Sequence, residues 1–138
     1  MNALKTKGET EAQIETHISK FYLEMFGRGP KNIKVDMLAL AAVVVARNAL
    51  SVAEKHMLLP MGAFENGHKI FKSMRTNIVE ISRTKLIEIV ETATGVGVSS
   101  LHHDISTVNG EEAFLFSLLG SPEYRPNKTN ARAACRVA

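Results

Sequence analysis

The chain has 138 residues, of which 45% are hydrophobic, 22% charged and 6% aromatic, and its formal net charge is +3. This length fits one domain, and the composition excludes collagen-like, mucin-like and fully disordered classes. Cys135 is the only cysteine. Because no internal disulfide can form, a reducing cytoplasm is the expected compartment.

The N-terminal part gives no signal for export or membrane insertion. Residues 1–8 lack the apolar core of a signal peptide, and we expect them to be flexible. The most apolar run covers residues 37–46, ten positions, whereas a membrane-spanning helix needs about 20. We therefore expect a cytoplasmic protein that does not insert into a membrane.

A helix is predicted over residues 9–26. Ile14, Ile18 and Phe21 recur at spacings of four and three, which places them on one helical stripe. The Gly-Arg-Gly-Pro sequence at 27–30 then ends the helix, because proline lacks a backbone N–H and glycine tolerates left-handed caps.

The next segment, residues 32–50, has mixed signals. Its β-branched residues favour strands, whereas its alanines favour a helix. We predict a hairpin with strands near 32–38 and 41–49. The supposed turn contains no glycine, asparagine or aspartate, which counts against this choice.

Two helices are predicted to follow. Ser51 and Glu54 have the spacing of a capping box, so a short helix of about eight residues should begin there and end before Pro60. A long helix is predicted from about 63 to 94, with Gly95 as its stop.

The length of this second helix has a consequence. A straight helix of this length would measure roughly 45 Å, but a domain of this size has a radius of gyration of about 14 Å. The helix must therefore break, with 82–84 the candidate position, or a second subunit must cover the overhang. The length favours a homo-oligomer, and a homodimer is the simplest form.

A second hairpin is predicted from strands at 96–108 and 111–119. They flank Asn109 and Gly110, a dipeptide that suits a two-residue type I′ turn.

This turn sets a register and two faces. It pairs Ile105 with Phe114 and His103 with Phe116. The face predicted to be the core side carries Leu101, His103, Ile105, Phe114, Phe116 and Leu118. The more polar face carries Ser100, His102, Asp104, Ser106, Ala113, Leu115 and Ser117.

Together these elements predict an α+β fold. We expect a two-layer sandwich, in which a mainly antiparallel sheet of two hairpins packs against a long helix and shorter helices. One domain should span 9–120. The basic segment 121–138 should be a disordered, solvated tail, and without a run of basic residues nucleic-acid binding is unlikely.

The candidate site residues centre on the predicted third strand. His102 and Asp104 point the same way on a strand, about 7 Å apart, and could supply two metal ligands or a base with its orienting partner. His103 points to the opposite face, as a core histidine with a hydrogen bond. Because no third ligand shares the face, we predict neither a metal site, a catalytic residue nor a cofactor.

Several cations could bind an anion. Arg28 lies in the turn after the first helix, and Arg83 lies on the long helix. The simpler interpretation is that Arg75, Arg83 and Lys85 offset glutamates on a solvated helix face.

One family resemblance adds to this interpretation. It is carried by Gly27-Arg28-Gly29-Pro30, Leu50-Ser51-Val52-Ala53-Glu54, Arg75, Arg83, Thr94-Gly95, Val98, the run Ser100–Thr107 and Asn109-Gly110-Glu111. Over roughly residues 9 to 119 the chain resembles the MpsC-like family of small bacterial domains, named for a component of a Na⁺-translocating membrane-potential-generating system.

The resemblance implies a small accessory protein of a bacterial membrane system for inorganic carbon or cation transport, and it carries over no catalytic motif. We therefore expect a non-enzymatic accessory or regulatory module that forms a homo-oligomer and contacts a transporter subunit. The alternative is a small metal-dependent or acid–base enzyme that uses His102 and Asp104, with Arg83 or Arg28 holding an anion.

Overall fold

The computed structural model describes residues 4–58 and 67–126. The helices in this part are α1 (Lys7–Phe26), α2 (Val52–Met57), α3 (Gly67–Ile81) and α4 (Arg83–Thr94). The strands are β1 (Asn32–Met37), β2 (Ala41–Arg47), β3 (Val98–Ile105) and β4 (Glu112–Leu118).

The four strands form one antiparallel sheet in the order β1-β2-β4-β3. The buried residues of α1 and α4 share one core cluster with inward-facing strand residues. The helices therefore form one layer and the sheet the other, which confirms the predicted two-layer α+β class.

The first hairpin confirms the predicted strand pair. Val35 lies opposite Val44, and Met37 lies opposite Ala42; all four are buried, while the residues between them face outward. The turn holds without glycine because the Leu38 N–H donates to the carbonyl of Ala41, with an N···O distance of 2.7 Å.

Helix α1 begins two residues before the predicted position. Thr6 is its N-cap and forms a capping box with Glu9. The helix ends at Gly27, which takes φ +75°, a left-handed conformation that favours glycine.

The predicted long helix is two helices. The break lies at Ser82, one of the positions named from the sequence, and α4 then runs to the predicted stop at Gly95. The predicted start at 63 lies outside the described residues. Because the helix breaks, its length no longer argues for a homo-oligomer.

The predicted register of the second hairpin is wrong by two residues. Ile105 lies opposite Glu112, not Phe114, and His103 lies opposite Phe114, not Phe116. Gly110 has φ +72°, but Asn109 does not have the positive φ that a type I′ turn requires.

The loop that joins these strands is longer than predicted. The Ser106 N–H donates to the carbonyl of Glu111 at 2.8 Å, so residues 107–110 form a four-residue loop instead of a two-residue turn. A shift of two residues preserves the side-chain alternation, and the predicted core side therefore faces inward. Leu101, Ile105, Phe114, Phe116 and Leu118 are buried there.

Part of the predicted tail contacts the domain. Ser121 donates to the carbonyl of Ala39, and Arg125 pairs with Glu9 on α1. Residues 127–138, with Cys135, lie outside the described part. Across the described ranges, no helix combines the length and apolarity needed to cross a membrane.

Candidate functional site

A buried ionic network lies between the sheet and the helices. It consists of Tyr22, Glu54, Arg75, His103 and Glu112, which come from α1, α2, α3, β3 and β4. Arg75 has no exposed surface, and Glu112 is 1% exposed. Five elements of the fold therefore meet at one cluster of polar side chains.

Arg75 is the centre of this network. Its Nε and Nη2 donate to the two carboxylate oxygens of Glu54, each at 2.8 Å, in a bidentate pair. Its Nη1 donates to Oε1 of Glu112 at 3.2 Å, and its Nη2 also donates to the carbonyl of Ala49 at 2.6 Å. These hydrogen bonds compensate the guanidinium for the water lost on burial.

Glu112 joins the other members of the network. The Tyr22 hydroxyl donates to Glu112 Oε1, the oxygen that also accepts from Arg75. The Nε2 of His103 lies 2.7 Å from Oε2 of the same carboxylate. Since a carboxylate only accepts, this nitrogen carries the proton and donates it. Nδ1 of His103 is buried without a partner among the described residues.

Local sequence explains how these side chains are held. Ser51 and Glu54 form the predicted capping box, which fixes the Glu54 carboxylate at the start of α2. Arg75 lies four residues from both Phe71 and Val79, on the buried face of α3. Its guanidinium carbon lies 3.9 Å from the ring centre of Phe26, a cation–π contact.

The surroundings lower the pKa of Glu54 and raise the pKa of Tyr22. Burial tends to raise the pKa of Glu54, but hydrogen bonds from Arg75 and Ser51, with the charge of Arg75, hold that pKa below its ordinary value. Burial, followed by the charge of Glu112, raises the pKa of Tyr22 far above its ordinary value. Glu54 is therefore held ionised and Tyr22 protonated.

The network is closed to substrates. Glu54 and Glu112 are 5% and 1% exposed, and both are already paired with Arg75. A substrate could reach these carboxylates only if α2 or α3 moved away from the sheet. The arrangement is suited to holding α2 and α3 against β3 and β4 rather than to acid–base chemistry.

His102 and Asp104 do not form a pair in the structure, because each contacts a different side chain. Both face outward on β3 as predicted, but the ring Nε2 of His102 lies 3.2 Å from Ser100 Oγ, and Asp104 pairs with Lys72 of α3 at 3.1 Å. The hydrogen bond from Lys72 holds the pKa of Asp104 below its ordinary value. Within the described ranges, no three His, Cys, Asp or Glu side chains are placed to hold a metal ion.

The remaining predicted residues lie in different places. His103 points inward as expected and belongs to the buried network. Arg83 lies at the start of α4, with Nη1 3.4 Å from the carbonyl of Leu101 and 3.7 Å from Glu80. Arg28 lies in the turn between α1 and β1 and is partly buried. Neither Arg83 nor Arg28 lines the surface depression beside His102 and Asp104, and the His103 side chain, although its residue borders that depression, bonds inward to Glu112.

The interpretation of Arg75 as a solvated cation is wrong, because it is fully buried. Arg83 and Lys85 do pair with exposed glutamates, Glu80 and Glu24. Tyr22 and Glu112 are not among the site residues that the sequence predicts. Glu112 carried a usable signal, since it has the same strand parity as the core phenylalanines of β4 and therefore places an acid on the core face.

Helix α3 also presents an apolar surface to solvent. Ile70, Met74, Ile78 and Ile81 lie at spacings of four, four and three, and we call them the α3 stripe. Ile70 is 48% exposed and Ile81 81% exposed. Arg75, on the buried face of the same helix, fixes this stripe in position.

The fold and the site together define a small two-layer α+β domain with a buried ionic network and an exposed apolar helix face. Residues 6–119 match the family model described as "Na+-translocating membrane potential-generating system (MpsC)". The chain belongs to the MpsC family. A curated relative, the uncharacterized protein YbcI of Bacillus subtilis (strain 168), is 31% identical over 119 residues, which cover 86% of this chain and 93% of the relative. No solved structure matches the chain.

Proposed function

We propose that this protein is a non-enzymatic, cytoplasmic, homo-oligomeric accessory module of a bacterial membrane system for inorganic carbon or cation transport. It acts by docking the α3 stripe onto a membrane-embedded subunit of that system. The family description supports the membrane context. The single observation that carries the docking is the exposure of the α3 stripe.

The apolar surface of α3 has no role in the fold of the described chain. Phe71, Arg75 and Val79 supply the buried side of the helix, so the stripe is not needed to attach α3 to the sheet. A contiguous exposed apolar row on a rigid helix is typical of a helix face that packs against a partner. Full burial of an exposed isoleucine contributes about 1.5–3 kcal/mol, so Ile81 would contribute most of this and the half-buried Ile70 about half of it.

A charge at the start of α3 defines the partner further. Lys69 lies in the first turn, which contains no acidic residue, although the helix dipole disfavours a cation there. Because this cation does not serve helix stability, we assign it to the partner. The fitting partner is a protein segment that presents apolar side chains next to carboxylates.

Vesicle sedimentation of the purified full chain tests this proposal. Vesicles would carry the membrane-embedded subunit of the Na⁺-translocating system, and protein-free vesicles of the same lipids would serve for comparison. We expect binding to the first vesicles only. In Ile70→Gln/Ile81→Gln, binding should weaken at least about tenfold, since two apolar contacts are lost.

The matched control is Leu23→Gln, because Leu23 lies on α1, is 55% exposed and is distant from the stripe in the chain. It should bind like the unaltered protein. Equal binding to protein-free vesicles would mean that α3 contacts lipid instead of a subunit. That result, or full binding by the α3 variant, would overturn the proposal.

A further inference from the structure

The sheet has a second face that no described helix covers. Alternate residues of each strand point outward, while the buried residues of the helices cluster with the inward ones. The outward centre, which we call the outer face centre, consists of Val43, Val45, Ala113 and Leu115. Leu115 is 38% exposed, and the two valines and Ala113 are partly exposed.

Four charged or basic side chains stand at the corners of this apolar centre. In one row across the sheet, Lys34 lies opposite Val45, then Ala113, then Asp104. In the next row, Asp36 lies opposite Val43, then Leu115, then His102. These corners are outward-facing and exposed, and the Asp104 carboxylate also pairs with Lys72 of α3 at the β3 edge of the sheet.

Basic and acidic side chains alternate at the four corners of the face. Along the β1 edge, the basic Lys34 is followed by the acidic Asp36; along the β3 edge, the acidic Asp104 is followed by the basic His102. If a second copy is turned over onto this face about a two-fold axis, either along the strands or across them, each carboxylate of these four corners meets a basic corner of the other copy. The apolar centre meets itself at the same time.

From this pattern we propose that the outer face binds a second copy of the chain, in a face-to-face dimer of two sheets. A two-fold interface must be complementary to itself, and this face is so in both charge and apolarity. Sheets pack face to face about 10 Å apart with strands roughly aligned, which matches either axis. The proposal identifies an interface for the homo-oligomer of the proposed function and does not depend on the docking through α3.

The size of the face sets the expected affinity. Four strands about 4.8 Å apart and about seven residues long at about 3.3 Å each give roughly 450 Å² per copy. The total of about 900 Å² is below the roughly 1,200–2,000 Å² of stable specific interfaces, so we expect a weak, reversible dimer that dissociates in the micromolar range.

Sedimentation velocity of the purified full chain, from about 1 to 200 μM, tests the dimer. The unaltered protein should change from monomer to dimer across this range. Leu115→Lys places a charge at the outer face centre and should leave a monomer at all concentrations. Leu23→Lys, on α1, is the matched control and should dimerise normally; circular dichroism confirms that both variants are folded.

Charge exchange tests the corners themselves. Lys34→Glu should weaken the dimer, because it places two carboxylates opposite each other across the interface. Lys34→Glu/Asp104→Lys restores the dimer if the axis runs along the strands, and Lys34→Glu/Asp36→Lys restores it if the axis runs across them.

Three results would overturn the proposal: a monomer at every concentration of the unaltered protein, a dimer that persists in Leu115→Lys, or failure of both exchanges to restore association. Each measures self-association of the purified protein. Failure here is therefore separable from failure of the vesicle experiment, whose Ile70→Gln/Ile81→Gln variant should dimerise normally.

Discussion

Arg75 and Glu112 are 37 residues apart in the chain, and their side chains meet at 3.2 Å in the interior. Neither is more than 1% exposed. Their contact joins α3 to β4, and the additional pair between Arg75 and Glu54 brings in α2. Together with the buried Phe71 and Val79, this cation thus holds α3, and with it the α3 stripe, in position.

Removal of that cation should be costly. Arg75→Met keeps an apolar stem of similar length but leaves Glu54 and Glu112 buried without their partner. We expect a loss of about 3–5 kcal/mol in the free energy of unfolding, the usual cost of breaking a buried ion pair. Urea denaturation followed by circular dichroism measures it.

Two other arginine variants make this result specific. Arg83→Met removes a partly exposed arginine from α4, and we expect a loss below about 1 kcal/mol. Arg75→Lys keeps the charge but cannot form the bidentate pair, so its stability should lie between those of the other variants. If Arg75→Met and Arg83→Met were equally stable, the network would not hold α3.

The sequence predicts the helices and strands around Arg75 but not the contacts that the Arg75 side chain makes between them. The capping box at Ser51 and Glu54 and the break at Ser82 are local signals, and both are confirmed. The sequence pattern predicts a solvated face for Arg75, because helical spacing shows which residues share a face and not what packs against that face. The pairing with Glu112 depends on tertiary packing across 37 residues, which local patterns do not contain.

The second hairpin shows where a local signal misleads. Asn109-Gly110 predicts a two-residue turn, but Gly110 lies in a longer loop and packs against the buried Leu50. In this loop the Gly110 N–H donates to the carbonyl of Ser106, and the Ser106 N–H donates to the carbonyl of Glu111. The inward and outward faces were still correct because the error was an even number of residues. The placement of Glu112 beside His103 and Tyr22 followed only from the structure.

Tyr22 should make the protein sensitive to alkali. Because its pKa is raised in the folded state, its contribution to stability is complete below the unfolded value of about 10 and is lost as pH rises above it. The free energy of unfolding should therefore fall with pH more steeply than in Tyr22→Phe, by up to about 1.4 kcal/mol per pH unit. Denaturant titrations at several alkaline pH values compare the two proteins.

Two further observations check the role of Tyr22. Near neutral pH, Tyr22→Phe should be less stable by about 1.5–3 kcal/mol, because Glu112 loses a donor. The absorbance of tyrosinate should show Tyr22 ionising only as the protein unfolds. Parallel alkaline stability curves for the two proteins would contradict both the burial of the Tyr22 hydroxyl and its contact with Glu112.

Glu54 should give the opposite dependence, at acid pH. Its folded pKa is lowered from 4.5, so its contribution is present above that pH and is lost as pH falls through the folded value. Glu54→Gln should be about 3 kcal/mol less stable than the unaltered protein at pH 7. The difference between the two proteins should shrink steadily below pH 4.5.

The control for this acid dependence is Glu80→Gln. Glu80 is exposed and lies 3.7 Å from Arg83, so its replacement should change stability little at any pH. If Glu54→Gln kept a constant deficit from pH 7 to acid, the carboxylate would contribute through its shape alone, and the charge of Arg75 would be irrelevant to it.

A comparison of Gly110→Ala with Gly27→Ala separates the cost of backbone strain from the cost of steric crowding. Gly110 has φ +72° and Gly27 has φ +75°, so alanine is strained at both, by about 1–2 kcal/mol. A Cβ at Gly110 would also lie 2.6 Å from Cγ of Leu50, whereas one at Gly27 would meet no atom within 4 Å. Leu50 cannot move away easily, because it is buried against Phe71 and Ile105. We therefore expect Gly110→Ala to cost about 1–3 kcal/mol more than Gly27→Ala in urea denaturation.

A double-mutant cycle assigns the excess to Leu50. In a Leu50→Ala background the crowding disappears, and the loss caused by Gly110→Ala should approach that of Gly27→Ala. The coupling between positions 50 and 110 should then exceed about 0.5 kcal/mol, the level at which contacting residues depart from additivity. Additive losses would place the whole cost of Gly110→Ala in the backbone and would contradict the close approach of the β3–β4 loop to Leu50.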